Sequence, residues 1–248
     1  MRRSPLIASL FALGAFAILV GLGTWQLERL AWKRDLLATI AARASAPAAP
    51  LPPAADWPAL DRARDEYRHV ALRGTYDHAK EALVYGVAGE DLGALKGSAG
   101  YFVFTPLIRT DGPPVLVNRG FVPLERRDAA TRAEGQVAGE RQVSGLLRFP
   151  EETSFFVPAN DPARDAFYRR DPAEIAAARG LQGAPGFYVE LDRGAAPGGL
   201  PVSAGAKADL PNRHLEYALT WYGLAATLAG VAAAVAWTRR RAARPPRA

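Results

Sequence analysis

Two uncharged apolar runs, one near each end of the chain, constrain this sequence more than any other feature. Ser4 to Gln26 is built from Leu, Ile, Phe, Val, Ala and Gly with no charged residue, and Tyr217 to Thr238 is a second such stretch. About 20 apolar residues at 1.5 Å each cross the hydrocarbon of a bilayer. The sequence therefore predicts a short N-terminus (1–4), a first transmembrane helix (5–26), a central domain (27–213), a second transmembrane helix (214–238) and an Arg-rich tail (239–248). A cleaved signal peptide competes for the first run, with Ala15-Phe16-Ala17 as a small-x-small site. The run continues through Leu22, past the usual signal-peptide core, so an uncleaved anchor is expected.

The charge pattern orients the two spans. The formal net charge is +6, and the excess lies in Arg2 and Arg3 and in Arg239, Arg240, Arg241, Arg244 and Arg247. The body is near neutral. No basic face is left for nucleic acid, which needs clustered charge on a folded surface. Arginines outside both spans place both termini in the cytoplasm by the positive-inside rule. Arg29, Lys33 and Arg34 oppose this only weakly, being interleaved with Glu28 and Asp35. In a bacterium the central domain is then periplasmic and the protein sits in the inner membrane. The chain has no cysteine. Disulfides, iron–sulfur clusters, thiolate zinc sites and cysteine nucleophiles are thereby excluded.

Small residues mark the spans. Ala226-xxx-Gly230-xxx-Ala234 and the shorter Ala17-xxx-Gly21 are ridges that let a helix approach closely. The simplest expectation is that the two spans pack on each other there; the alternative is a foreign helix from a partner.

Helical spacing of Leu27, Leu30, Ala31, Leu36, Leu37 and Ile40 extends the first helix outward until Ala46-Pro47. A Pro/Ala segment (47–58) is expected to run extended as a surface linker. Strand-like runs follow at Tyr67–Tyr76 (Gly74 a possible bulge), Ala82–Val87, Tyr101–Ile108, Val115–Val122, Arg141–Phe149 and Phe187–Leu191. Asp111-Gly112-Pro113-Pro114 turns the third into the fourth. Asp171 caps a short helix to Arg179 with Pro172 at its first position. The fold class expected is α+β: two antiparallel transmembrane helices flanking one periplasmic domain, with a mostly antiparallel sheet and short helices.

Enzyme signatures are absent. GALKGSAG (93–100) lacks the end of a phosphate loop, Gly21-Leu22-Gly23 lies in a span, and no nucleophile elbow surrounds Ser98, Ser144 or Ser203. His69 and His78 read as structural or exposed. His214 is set apart by its place, three residues before Tyr217 where the second span begins. On a helix His214, Tyr217, Ala218, Trp221 and Ala225 share a face. Ala218 and Ala225 leave flat space between an imidazole and aromatic rings, a shape suited to a planar apolar cofactor such as haem, whose iron imidazole ligates. Arg213 suits a propionate. An interfacial histidine beside an ordinary aromatic belt is the plainer reading.

Several segments, in order, resemble the surfeit-locus cytochrome c oxidase assembly proteins. They are Leu22-Gly23-Thr24-Trp25-Gln26-Leu27 with Arg29-Leu30 and Lys33; Gly100-Tyr101 with Thr105-Pro106-Leu107; VLVNRGFVP (115–123); Phe156-Val157-Pro158 with Asn160-Asp161-Pro162; Pro197-Gly198-Gly199; and NRHLEYALTWYGLA (212–225). Phe121 stands where many relatives have Trp. The resemblance implies a non-enzymatic membrane factor for haem–copper oxidase biogenesis, with His214 matching the family's second-span histidine. It further implies a role in binding haem a, in helping its insertion into the oxidase catalytic subunit, and in contact with that subunit and with haem a synthase. The expected site is His214 as iron ligand, with Arg213, Tyr217, Trp221 and Trp25 around it. A haem-free adaptor that stabilises assembly intermediates, and a membrane-anchored periplasmic enzyme, are the competing readings.

Overall fold

The computed structural model describes residues 5–205 and 213–242. Arg2, Arg3, Asn212, Arg244 and Arg247 lie outside the described residues. The chain forms two compact units, Met1–Thr39 with Asp209–Ala248, and Ile40–Ala208. Helix α1 (Pro5–Ser45) continues without a break past Gln26, as its apolar spacing predicts. It stops before Ala46-Pro47, where proline disfavours helical backbone at the preceding residue. Its last turns count with the domain. Ile40 is buried, and Arg43 donates to the carbonyls of Glu66 (2.9 Å) and Ala63 (3.0 Å).

The domain runs β1 (Ala49–Pro50), α2 (Arg62–Asp65), β2 (His69–Tyr76), β3 (Ala82–Val87), β4 (Ala99–Ile108), β5 (Val115–Pro123), β6 (Glu140–Arg148), α3 (Pro172–Ala178), β7 (Tyr188–Leu191), β8 (Gly194–Ala195) and β9 (Val202–Ser203). The runs expected as strands are β2 to β7. The two-residue strands β1, β8 and β9 are too short to show a period in sequence. Asp171 caps α3 as expected, accepting from the N–H groups of Ala173 (3.0 Å) and Glu174 (3.1 Å). Strand pairing closes a ring, β4–β2–β6–β7–β5 and back to β4, with β3, β9–β8 and β1 attached outside it. Pairing is antiparallel except for β1–β2 and β5–β7. The ring's inward face carries Val70, Leu72, Tyr76, Leu107, Val115, Val117, Leu147 and Val189, all buried. On the other side of the ring strands, Phe104, Leu116 and Tyr188 are buried together with Val84 of β3 beneath Ile175 of α3 and Phe167. Alternation along β5 thus feeds two cores, which is why nearly all of it is buried.

Three expectations need correction. The Pro/Ala segment 47–58 is not a free linker. Ala49 and Pro50 pair with Val70 and Ala71, Leu51 is buried, and Trp57 packs edge-on against Phe187 at 5.4 Å. Proline is tolerated because β1 is an edge strand, where one side needs no donor. The strand expected from Tyr67 begins at His69 because Tyr67 has a left-handed φ of 66°, its ring lying under the Arg148 guanidinium at 4.6 Å. Gly74 is no bulge. It sits in regular register with Arg141, and a Cβ there would strike the Ile108 carbonyl where β2 meets β4. The bulge is in β5: Phe121 pairs Phe102 and Asn118 pairs Phe104, so Arg119 and Gly120 together oppose Val103. Phe121 itself is fully buried, in contact with Phe102.

Helix α4 (His214–Ala242) runs antiparallel to α1 in the helical unit. Both helices are long and apolar enough to cross a membrane, and only 6% and 11% of their most apolar windows are buried. A core helix of a soluble protein would be mostly covered. Hydroxyls within them are bonded back to the preceding turn, Thr24 to the Val20 carbonyl (3.0 Å) and Thr227 to that of Gly223 (2.9 Å). This satisfies them without water. Tyr217 and Trp237, both exposed, are about 30 Å apart along the axis, the hydrocarbon thickness. Both small-residue ridges are exposed, and neither Gly21 nor Gly230 would meet anything if given a Cβ. The helices therefore do not meet on the ridges.

Gly120 has φ +117°, and a Cβ there would collide with the backbone of Val202 in β9. Gly120→Val should destabilise the domain by about 3 kcal/mol or more, from backbone strain together with a collision. An unchanged melting temperature would refute this core assignment.

His69 fastens the chain entering the domain. Its Nδ1 meets the Ala46 carbonyl (2.7 Å) and its Nε2 the Asp192 carboxylate (3.0 Å). Both partners accept, so both ring nitrogens carry protons. Burial opposes the charge, but these two bonds and the Asp192 charge outweigh it and raise His69 above its ordinary 6.5. Ser144 donates to the same Asp192 oxygen, so the imidazole does not stand between hydroxyl and carboxylate as a nucleophile triad requires. A raised folded pKa means the stabilisation is complete below pH 6.5 and lost as pH rises through the folded value. Melting temperature should therefore fall between about pH 6 and pH 9, and fall less in His69→Gln. Parallel curves for the two proteins would show that the His69 contacts carry no charge.

Candidate functional site

The first three turns of α4 and residues 23 to 26 of α1 form one seam. A Cβ on Gly23 would lie 2.9 Å from the Tyr222 ring, so glycine is what lets that ring cross the α1 backbone. Thr24 Oγ1 lies 3.0 Å from Tyr222 Oη. Since Thr24 spends its proton on the Val20 carbonyl, Tyr222 is the donor. Two residues further along α1, Gln26 Oε1 accepts from His214 Nδ1 at 2.7 Å. Ala218 and Ala225 are buried on the same face of α4 as Tyr222. A run of small side chains there lets the helices approach closely.

This arrangement revises the expected site in part. His214 is half-buried at the edge of the seam, and Gln26 fixes which nitrogen holds its proton. With the proton on Nδ1, Nε2 carries the lone pair, the state in which imidazole binds a metal. The flat space expected over Ala218 and Ala225 is not open, because both are buried. Tyr217 (54% exposed) and Trp221 (half-buried) continue around the helix, away from the seam. Trp25 is 50% exposed and Arg213 is exposed. Among the described residues no ring contact joins Trp25, Tyr217 and Trp221, so they do not form a closed slot. A cavity of about 550 Å³ between the helices lies at their other ends, lined by Leu13, Phe16, Leu228, Val231 and Val235, far along the axis from His214. The donor set nonetheless fits haem: one free imidazole nitrogen, a guanidinium beside it, and aromatic side chains on the open flank.

Gln26 is the residue that sequence reasoning did not assign. Its signal lay in motif placement. The segments 22–27 and 214–225 meet in the antiparallel pair, so a polar side chain in one belongs opposite the histidine of the other. Asn160 Oδ1 accepts from the N–H groups of Tyr168 (2.8 Å) and Arg169 (2.9 Å), which ties down the loop before α3. Phe156 is 88% exposed and packs edge-on only with Phe155.

Comparison with known proteins bears on all of these segments. The model of the SURF1 family matches residues 13–226, from within α1 into α4. Surfeit locus protein 1 of Mus musculus is 39% identical over 216 residues, covering 83% of this chain and 68% of the mouse protein. That of Homo sapiens is 38% identical over 217 residues, covering 83% and 70%. A SURF1-like protein of Drosophila melanogaster is 31% identical over 230 residues, covering 86% and 74%. The similarity spans both helices and the whole domain between them, and the chain belongs to the SURF1 family.

Proposed function

We propose that this protein is a non-enzymatic assembly factor for cytochrome c oxidase, which holds haem a as cargo on His214 and helps its insertion into the oxidase catalytic subunit. Family membership and the ordered motifs support the oxidase reading. The haem reading rests on one observation, the Gln26 Oε1 to His214 Nδ1 hydrogen bond, which leaves Nε2 free to ligate. Arg213 offers a guanidinium to a propionate, and Tyr217, Trp221 and Trp25 offer apolar surface with a polar edge. A single protein ligand on an open flank suits a carrier, which must bind more weakly than the acceptor it supplies. The partners in this reading are the catalytic subunit and haem a synthase, reached through the bilayer.

The test is spectroscopic. Co-produced with haem a synthesis, wild type should carry a Soret band that His214→Ala loses while keeping its fold. Gln26→Leu should weaken haem retention by about tenfold, the usual cost of removing a partner that orients a ligating histidine. Equal Soret absorbance per mole in wild type and His214→Ala would remove His214 as the ligand.

A second reading, a haem-free adaptor that clamps oxidase subunits, is favoured by the exposed Ala226/Gly230/Ala234 ridge, which is open to a foreign helix. A colourless wild type that still supports normal oxidase assembly would select it.

The orientation follows from the terminal arginines: both termini cytoplasmic and the domain periplasmic in a bacterial inner membrane. A periplasm-active reporter inserted at the exposed Asp111–Gly112 turn should be active, and one fused after Ala248 silent. The reverse pattern would place the domain in the cytoplasm and the haem site on the wrong face.

A further inference from the structure

One end of the strand ring holds a buried cation with no carboxylate paired to it among the described residues. Arg119 is 4% exposed and lies on the inward side of β5, with its guanidinium 4.8 Å over the ring of Tyr76. One terminal nitrogen donates to the Gly135 carbonyl, and the other faces His78 Nδ1 at 3.4 Å. His78 Nε2 meets the Val137 carbonyl at 2.9 Å, so Nε2 holds the ring proton and Nδ1 turns a lone pair to Arg119. Every group that Arg119 touches is thus a dipole or a π-face. Among the described residues no carboxylate pairs with it. The nearest acid to influence it, Glu81, is held in a two-point pair by Arg132. An unpaired buried charge is costly, and burial accordingly pushes Arg119 below its ordinary value.

Beside this group is a cavity of about 240 Å³. It is lined by Arg119, Tyr76 and the exposed Arg141 together with Val137, Val143 and Leu191. The Tyr76 hydroxyl is buried out of reach of water, with the Arg119 guanidinium acting on it. Burial pushes it up to about 12, against the opposing charge of Arg119, so it keeps its proton and remains a donor at neutral pH. Asp192 also borders the cavity, but its carboxylate is taken by His69 and Ser144. Two cations and several apolar side chains therefore line a cavity at the mouth of a small closed sheet, a usual place for a ligand.

We propose that this cavity binds a small organic carboxylate, with its head toward Arg119 and Arg141 and its apolar body against Val137, Val143 and Leu191. The site lies wholly within the domain and stands or falls apart from the haem reading. The probe is benzoate, with benzyl alcohol as its neutral counterpart and inorganic phosphate as a head without a body. Isothermal titration of the full-length protein in detergent micelles should show saturable benzoate binding, at least tenfold tighter than that of either control. Arg119→Gln should abolish it. Because that buried change can also unfold the domain, Arg141→Gln carries the decision, weakening benzoate severalfold at an unchanged melting temperature. No saturable benzoate binding at millimolar concentration, or equal binding of benzyl alcohol, would overturn the proposal. Phosphate binding as tight as benzoate would overturn the part given to the apolar wall, and unaltered benzoate affinity in Arg141→Gln would overturn the placement of the ligand.

Discussion

The domain depends on strand β5 being hydrogen-bonded on both edges while both of its faces are covered. β4 lies on one side, β7 and β9 on the other, and Val115 to Val122 are all buried. A strand so enclosed has no free edge on which to absorb an error. The chain inserts its one irregularity there under control. Asn118 Oδ1 accepts from the Gly120 N–H at 3.1 Å, replacing a ladder bond lost at the bulge. Gly120 supplies the positive φ and the room that β9 needs. The bulge shifts the alternation by one residue, so Phe121 enters a third small core with Ala88 and Leu92. Arg119 keeps the inward direction of Val115 and Val117. A buried arginine and a crowded glycine are therefore two results of one extra residue.

Much of this was readable without coordinates, and the reason differs from element to element. The runs from Ala82 and Val115 show their boundaries because turn residues bracket them. Asp171-Pro172 marks α3 because side-chain capping is local chemistry. The Pro/Ala segment misled because composition reports the lack of donors, whereas Leu51 and Trp57 join the core through contacts far away in sequence. The same holds for Arg132 with Glu81, a buried pair bridging 51 positions that no local pattern announces. At the candidate site His214 was legible from its place at the start of a span. Gln26 was not, because its meaning arises only when two helices meet in a particular register.

The helical unit answers a different problem from the domain. Two apolar helices in lipid gain little from hiding apolar surface, so polar contacts and close packing must hold them together. Here these are grouped near one end: Gly23 under Tyr222, Thr24 with Tyr222, and Gln26 with His214. Toward the other ends the helices leave a cavity between them. The end that positions the histidine is thus the end that is tied.

Tyr222 lying across Gly23 works as a vernier between the helices. A slip by one residue would move Gln26 about 1.5 Å along the axis and turn it by about 100° from the imidazole. The proton on His214 would then be free to settle on either nitrogen. A side chain added at Gly23 could leave the fold, the spans and the histidine itself in place, yet scramble the tautomer that makes the histidine useful. Damage of that kind would escape any measurement of stability and would surface only in what the protein is able to carry.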